Sequence, residues 1–426
     1  MERKKGLIIA AVLTVGALLG CSGKYVTSTE PAHIEKESVG AGWKAGVAIK
    51  NITPQKSVYL AGFSSGRVSK GVHDPLSARC FVLSNGKTSV GLVSMDLLGM
   101  LGPDIAAIKQ KATALAPEHI VVSFTHTHSA PDTTGLWGFG PLSGRDSHYI
   151  EETINNAAAC LNDAMLDLQD ATLHFGSTTV QYSRFKKDLT IPDPAFTVMR
   201  ATRMRDGKEE TLFTLVNYAV HPTIMRTNFI TADFVGSFYK RIQELGGGMG
   251  IFMNGTQGHV GPNIKRNGQD DWPAAESFGR MIADAAMGLQ TAPSSDYTLV
   301  VRDDVLRVPL ANPWFKIAAF VNKVPDPRDG ADHTIPLELA YVRMGELALL
   351  TIPGEAFPNI GKDLRRDTHA PFEMLCGLCN GAYGYIMYPS DYEKKEYAYW
   401  RGVSVGPIGD AVYRSLVSLA KADEQK

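Results

Sequence analysis

The sequence has no surplus of charge of either sign: 43 lysines and arginines face 44 aspartates and glutamates over 426 residues, a formal −1. Without a basic excess, a bulk electrostatic grip on nucleic acid is excluded. There is no internal repeat and no low-complexity stretch, and a hydrophobic fraction of 44% with 20% charged residues excludes a disordered, collagen-like or multi-span membrane chain. Cysteine is scarce, at five residues. The single Cys376-x-x-Cys379 has no second pair and lies in an apolar run, which favours buried thiols or a disulfide over a zinc ribbon. What the chain does have is length enough to bury a sizeable core, and 41 glycines with 23 prolines, a turn content that suits a mixed or β-containing domain better than a helix bundle.

The first residues have a separate logic. Arg3, Lys4 and Lys5 precede an apolar stretch, Leu7 to Leu19, too short to span a bilayer comfortably and of the form of a secretory signal. It ends in Leu18-Leu19-Gly20-Cys21, the form of a bacterial lipobox, so residues 1–20 are expected to be removed and Cys21 to carry acyl chains; a plain signal peptide with an incidental cysteine is the alternative. Ser22 rather than Asp after Cys21 points to the outer membrane. The expected location is thus the bacterial cell envelope, lipid-anchored, at the outer membrane or periplasmic face. Cleavage would remove Glu2, Arg3, Lys4 and Lys5 and leave 40 basic against 43 acidic side chains, net −3. The polar, pattern-free residues that follow are expected to act as a flexible tether, giving a lipidated and tethering segment over 21–44, a catalytic domain over 45–422 and a tail over 423–426.

The periodicity predicts an α/β fold: a mixed β-sheet core flanked by helices, in a single large domain. Thr88–Met95 and His119–Phe124 are β-type runs, and Pro103–Ala114 between them has helical spacing, with Ile105, Ile108 and Ala112 on one face. Such a βαβ unit ending in His and Asp residues places chemistry at a strand's carboxyl end. Further strands are expected at Leu212–Val220, Tyr297–Val308, Leu337–Arg343, Ala348–Ile352 and Met374–Leu378. Helices are expected at His148–Leu166, Phe234–Leu245, Ala274–Gly288 and Pro358–Arg366.

Four separated places concentrate polar residues that chemistry could use. In Ser123-Phe124-Thr125-His126-Thr127-His128-Ser129-Ala130-Pro131-Asp132, two histidines two apart on an extended segment would face one side, a spacing suited to a metal. His221 ends an apolar strand, in Tyr218-Ala219-Val220-His221-Pro222, as a ligand or as a satisfied core histidine. Glu355 follows Ile352-Pro353-Gly354, as a presented carboxylate or a turn residue, and Tyr385 closes a Gly-rich loop, as a functional phenol or as packing. The Thr134-Gly135-Leu136-Trp137-Gly138-Phe139-Gly140 loop is either a packed loop or an aromatic contact for an apolar substrate group.

The order and wording of these places resemble the neutral/alkaline (non-lysosomal) ceramidase family. The series Thr125-His126-Thr127-His128-Ser129, Ala219-Val220-His221-Pro222-Thr223, Pro353-Gly354-Glu355, then Cys379-Asn380 with Tyr383 and Tyr385, follows the family's order. Ala45-Gly46-Val47-Ala48-Ile49, Ile52-Thr53-Pro54, Ala61-Gly62-Phe63, Gly71-Val72-His73 and Val93-Ser94-Met95-Asp96-Leu97 extend the match from about Ala45 to about Ala422, the family's N-terminal catalytic domain. The resemblance implies a zinc-dependent hydrolase of linear amides, with Zn²⁺ as cofactor on His126, His221, Glu355 and Tyr385 and a metal-activated water attacking the amide carbonyl. It implies His128 as the proton-transfer histidine, and Arg184 as the arginine that orients it and stabilises charge; a surface cation is the other reading of Arg184.

One departure matters. Where the family has Gly-Asp-Val-Ser-Pro-Asn, this chain has Gly258-His259-Val260-Gly261-Pro262-Asn263, so Gly261 replaces the serine that contacts the substrate hydroxyl. Losing one buried hydrogen bond costs about 1–3 kcal/mol, enough to redirect specificity. His259 either contacts substrate, carries a proton or caps the loop. The function expected is hydrolysis of an N-acyl lipid such as ceramide, in sphingolipid metabolism. The alternatives are another acyl amide or ester, or a non-catalytic zinc-bearing binding lipoprotein. The expected partners are an acylated lipid or other acylated small molecule and a membrane reached through Cys21, with no nucleic acid.

Overall fold

Apolar runs flanked by turns give strands buried on both faces, and in the computed structural model these assemble into two sheets laid face to face. The structure describes residues 28–29, 32–35, 37–185, 192–268, 271–310, 312–392 and 407–422. The expected signal segment, Cys21 and the tail over 423–426 lie outside them. The first sheet is built from β1 (Trp43–Asn51), β2 (Ser77–Ser84), β3 (Ser89–Met95), β4 (Ile120–Phe124), β5 (Gln169–Thr179), β6 (Ala195–Arg205), β7 (Lys208–Tyr218) and β8 (Met249–Asn254), in spatial order β8-β7-β6-β5-β1-β2-β3-β4. The second contains β9 (Thr298–Pro309), β10 (Thr334–Met344), β11 (Leu347–Ile352) and β12 (Phe372–Gly377), in that order.

Alternation along the strands makes the layers. In β2, Phe81 and Leu83 point into a core shared by the two sheets, with Leu299, Val301, Val342 and Leu349 from the facing sheet. Cys80 and Val82 point the other way, into a core closed by the helices α1 (Gly102–Lys111), α2 (Ser147–Leu166), α3 (Phe234–Glu244) and α4 (Trp272–Gly288). The outer face of the second sheet, with Leu350 and Ile352, is covered by α5 (Pro358–Thr368) and α6 (Gly409–Ala420). The result is a helix–sheet–sheet–helix sandwich, the mixed sheet core with flanking helices that the periodicity predicted, in a single domain. No helix among the described residues is long and apolar enough to cross a membrane.

Most neighbours in the sheets are antiparallel, and three pairs are parallel: β3 with β4, β7 with β8 and β11 with β12. Helix α1 links the first pair, α3 the second and α5 the third, so the βαβ unit read from the sequence is present and recurs. Part of the expected tether behaves otherwise. Ser28–Thr29, His33–Ile34 and Ser38–Val39 pair antiparallel with β9, which gives that edge strand's backbone groups partners they would otherwise lack. Cys80, Cys160, Cys376 and Cys379 are buried free thiols, and burial pushes those of Cys80 and Cys376 well up.

Candidate functional site

The parallel pairs deliver the candidate residues to one place, because strands running the same way end at the same side of the sheets. His126 and His128 follow the end of β4, His221 the end of β7, His259 the end of β8, Glu355 the end of β11, and Tyr385 lies beyond the end of β12. All six line one cavity of about 750 Å³, together with Arg184 and Gly261.

Local hydrogen bonds fix the approach. The backbone N–H of Thr125 donates to Met95 O at 3.0 Å and that of His126 to Leu97 O at 2.9 Å, tying the histidine loop to the end of β3. Asn254 clips two motifs together: its Nδ2 donates to Thr125 O at 3.0 Å while its Oδ1 accepts from the Val220 N–H at 3.1 Å. The His126–His128 segment is not the extended strand the two-residue spacing implied. His126 sits in the left-handed region at φ 70°, past the end of β4, and this turn rather than strand alternation sets its ring 5.0 Å from that of His128. A non-glycine residue there stores about 1–3 kcal/mol of strain, and His259 at φ 61° is a second case at the same cavity. Gly62, at φ 103°, makes room for His128: a Cβ at that position would lie 2.4 Å from the imidazole.

The two buried histidines are oriented alike. His126 donates Nδ1–H to Leu98 O and His221 donates Nδ1–H to Val260 O, each at 2.7 Å. With Nδ1 committed as donor, the neutral imidazole leaves a lone pair on Nε2. Those two Nε2 atoms face the Glu355 carboxylate, His221 at 3.0 Å from Oε2 and His126 at 3.6 Å from Oε1. Lone pairs opposed to carboxylate oxygens repel unless a proton or a cation lies with them, so this donor set fits a metal ion. Nitrogen atoms of His126, His128 and His221 lie within 4.8 Å of one another, a group that could hold one. Backbone carbonyls on the distal Nδ1–H are the usual outer support of metal-binding histidines.

Tyr385 comes in beside Glu355. The short segments Glu355–Ala356 and Tyr385–Ile386 pair in parallel with those two residues in register, and the Glu355 N–H donates to Gly384 O at 2.8 Å. The Tyr385 ring lies 6.5 Å from that of His259. Arg184 stands directly across from Gly261 in the antiparallel ribbon of Ser183–Phe185 and Val260–Pro262. The residue that replaces the family's serine is therefore a cross-strand neighbour of the arginine, which sequence distance hides.

Several lining residues were not identified from the sequence as functional. Phe63 packs its ring 5.0 Å from that of His128. Arg67 donates to Thr227 O at 2.7 Å, Ala61 O at 2.5 Å and His128 O at 2.6 Å, and burial lowers its guanidinium to about 10, still charged at neutral pH. Arg226 and Arg266 also line the cavity. The Gly-rich aromatic loop, which the sequence did offer as an aromatic contact, contributes Trp137, held by Asp132, whose carboxylate accepts from the N–H groups of Thr134, Gly135 and Trp137.

No protein-family model matches the chain. The neutral ceramidases of Drosophila melanogaster and Drosophila pseudoobscura pseudoobscura are each 26% identical to it over 61% of its length and 46% and 45% of theirs, so the chain spans about half the length of these curated relatives. Among solved structures, the neutral ceramidase of Pseudomonas aeruginosa superposes with a TM-score of 0.76 at 17% identity, covering 90% of this chain and 75% of that one. A ceramidase complexed with C2 gives 0.75 at 17% identity, covering 90% and 76%.

Proposed function

We propose, from the premise that the chain has the fold of the neutral ceramidase catalytic domain and sequence kinship with those enzymes, that it hydrolyses the amide bond of an N-acyl lipid, ceramide being the leading candidate. His126, His221, Glu355 and Tyr385 would hold a zinc ion. Such an ion supplies Lewis acidity, polarising a carbonyl and bringing the pKa of water towards neutrality. The observation that carries the reading is the pair of Nδ1-anchored imidazoles whose Nε2 atoms face one carboxylate.

The chain's own side chains supply the rest. His128, half-buried and adjacent to both anchored histidines, is placed to take a proton at its imidazole and return it to the leaving nitrogen. Arg184 brings a permanent positive charge to the same cavity, where charge developing on the carbonyl oxygen needs a counter-charge. Phe63 and Trp137 offer apolar surface for an acyl chain and keep water from that side. The lipobox form of Leu18–Cys21 supports presentation of this site at a bacterial envelope membrane through a lipid on Cys21.

Gly261 favours a second reading of the substrate. With no side chain there to meet a head-group hydroxyl, another acyl amide or ester is the alternative to ceramide. Fatty-acid release from ceramide by the zinc-loaded full chain in detergent, beside its Glu355→Ala variant, tests both. Release by the parent alone supports the ceramide reading. A parent that binds zinc yet leaves ceramide intact but cleaves other acyl amides moves the substrate, and a folded parent that takes up no metal overturns the site.

A further inference from the structure

The charge at the mouth of the cavity exceeds what the proposed hydrolysis uses. Four arginines line it, Arg67, Arg184, Arg226 and Arg266, against a single carboxylate, Glu355, which faces the histidines. Among the described residues, none of the four forms an ion pair. Elsewhere in this nearly neutral chain arginines do find acids: Arg145 with Asp104 at 2.8 Å, Arg241 with Asp284 at 2.7 Å, Arg365 with Asp193 at 3.1 Å, Arg366 with Asp363 at 2.7 Å. Leaving four guanidinium groups in one cleft is a local exception that the overall composition does not require.

Arg184 has a role in the reading above, and Arg67 serves three backbone carbonyls. Among the described residues, Arg226 has neither use, and Arg266 spends only its Nη1 on backbone carbonyls. Both are exposed, and Arg266 donates to Ile224 O at 3.1 Å, which pins it beside the segment that carries Arg226. The Arg226 guanidinium carbon stands 5.3 Å from the centroid of Phe63, and that of Arg67 stands 5.0 Å from the same ring. Two cations around one aromatic ring repel each other, while the ring quadrupole attracts both. A bound metal would add positive charge to the same cavity. An uncharged head group gains only neutral hydrogen bonds from this arrangement, whereas a planar or tetrahedral oxyanion is what a guanidinium fork fits with charge assistance.

We infer that Arg226 and Arg266 form a subsite for an acidic group, a carboxylate or a phosphate, carried by the substrate, so that the preferred substrate is an anionic acyl amide. The inference rests on the hydrolase reading and names its substrate class. It also gives the loss of the serine at Gly261 a consequence: the head group is recognised by charge at the mouth in place of a hydroxyl contact.

The test uses the zinc-loaded full chain in uncharged detergent micelles, where no anionic surface contributes. Two matched pairs are compared: ceramide 1-phosphate with ceramide, and N-lauroylglycine with its methyl ester, in the parent and in an Arg226→Gln/Arg266→Gln variant. In the parent, kcat/KM for the acidic member of at least one pair should exceed that of its neutral partner roughly tenfold or more, and in the variant that preference should collapse through KM. The pair with the larger preference tells phosphate from carboxylate. A parent preference of one or less, or a preference unchanged in the variant, overturns the subsite. If no amide bond is cleaved, the amide-hydrolase reading falls on its own. Calorimetric binding of hexyl phosphate, with hexanol as the neutral control, then decides the subsite: a roughly tenfold weaker affinity in the variant supports it, and equal affinity overturns it.

Discussion

At the buried end of the cavity, His126 and His221 each commit Nδ1 to a backbone carbonyl and turn Nε2 to Glu355. At its open end, Arg226 and Arg266 are exposed, without an acid partner among the described residues. The inner groups are preorganised: their orientation is built during folding, through Asn254 and the left-handed turn at His126, and need not be assembled when substrate arrives. The outer groups keep donors for a ligand, Arg266 spending only its Nη1 on backbone carbonyls. The same cavity thus separates a rigid chemical centre from an adaptable recognition rim, and each half should fail in its own way.

The largest effect belongs to the inner end. Glu355→Ala removes the carboxylate shared by both imidazoles, and kcat should fall at least about 10³-fold with loss of bound metal, measured by metal content and single-turnover kinetics. An active variant that keeps its metal would show that the centre lies elsewhere. Gly62→Ala reaches the same end by steric displacement. The added Cβ would meet His128 at 2.4 Å in a backbone conformation that disfavours it, so kcat should drop on the order of 100-fold while metal content holds. Loss of the metal as well would mean that His128 is a ligand. Asn254→Ala cuts the clip between Thr125 O and the Val220 N–H; kcat and metal affinity should both fall about tenfold, with the KM preference for acidic substrates kept. If that preference went too, the two ends would not be independent.

How much of this was legible in the sequence differs between the same two ends. Strands β3, β4, β7, β9, β10, β11 and β12 and helices α1 to α5 were readable, because apolar runs mark the strands and the helices carry a clear amphipathic period. Strands β1, β2, β5, β6 and β8 were not; of these, Gln169–Thr179 and Ala195–Arg205 run out of the sandwich into solvent and carry polar or charged residues there. Helix α6 and the edge pairing of residues 28–39 also escaped, both being set by what they cover. At the site, the inner residues lie in compact motifs at strand ends, where local wording carries the signal. The outer arginines are single residues in unremarkable loops, and only the closing of Phe63, Arg226 and Arg266 around one cavity gives them meaning. A signal was available in principle: Arg67 follows shortly after the Ala61-Gly62-Phe63 motif, and Arg226 shortly after His221-Pro222-Thr223.

Salt gives the smallest effect and the sharpest separation between the two ends. Raising ionic strength from 0.1 M to 1 M shortens the screening length from about 10 Å to about 3 Å. Exposed arginines acting on an acidic substrate lose attraction over that range, whereas buried groups are screened far less. His221 is 1% exposed and His126 4%, so the chemical step should hardly respond. KM for the acidic substrates should therefore rise about threefold or more while kcat stays within experimental error, and neutral substrates should show no matching rise in KM. A fall in kcat with constant KM would place the salt-sensitive charge at the inner end. That result would reverse the division of labour between Glu355 with its histidines and the arginines at the rim.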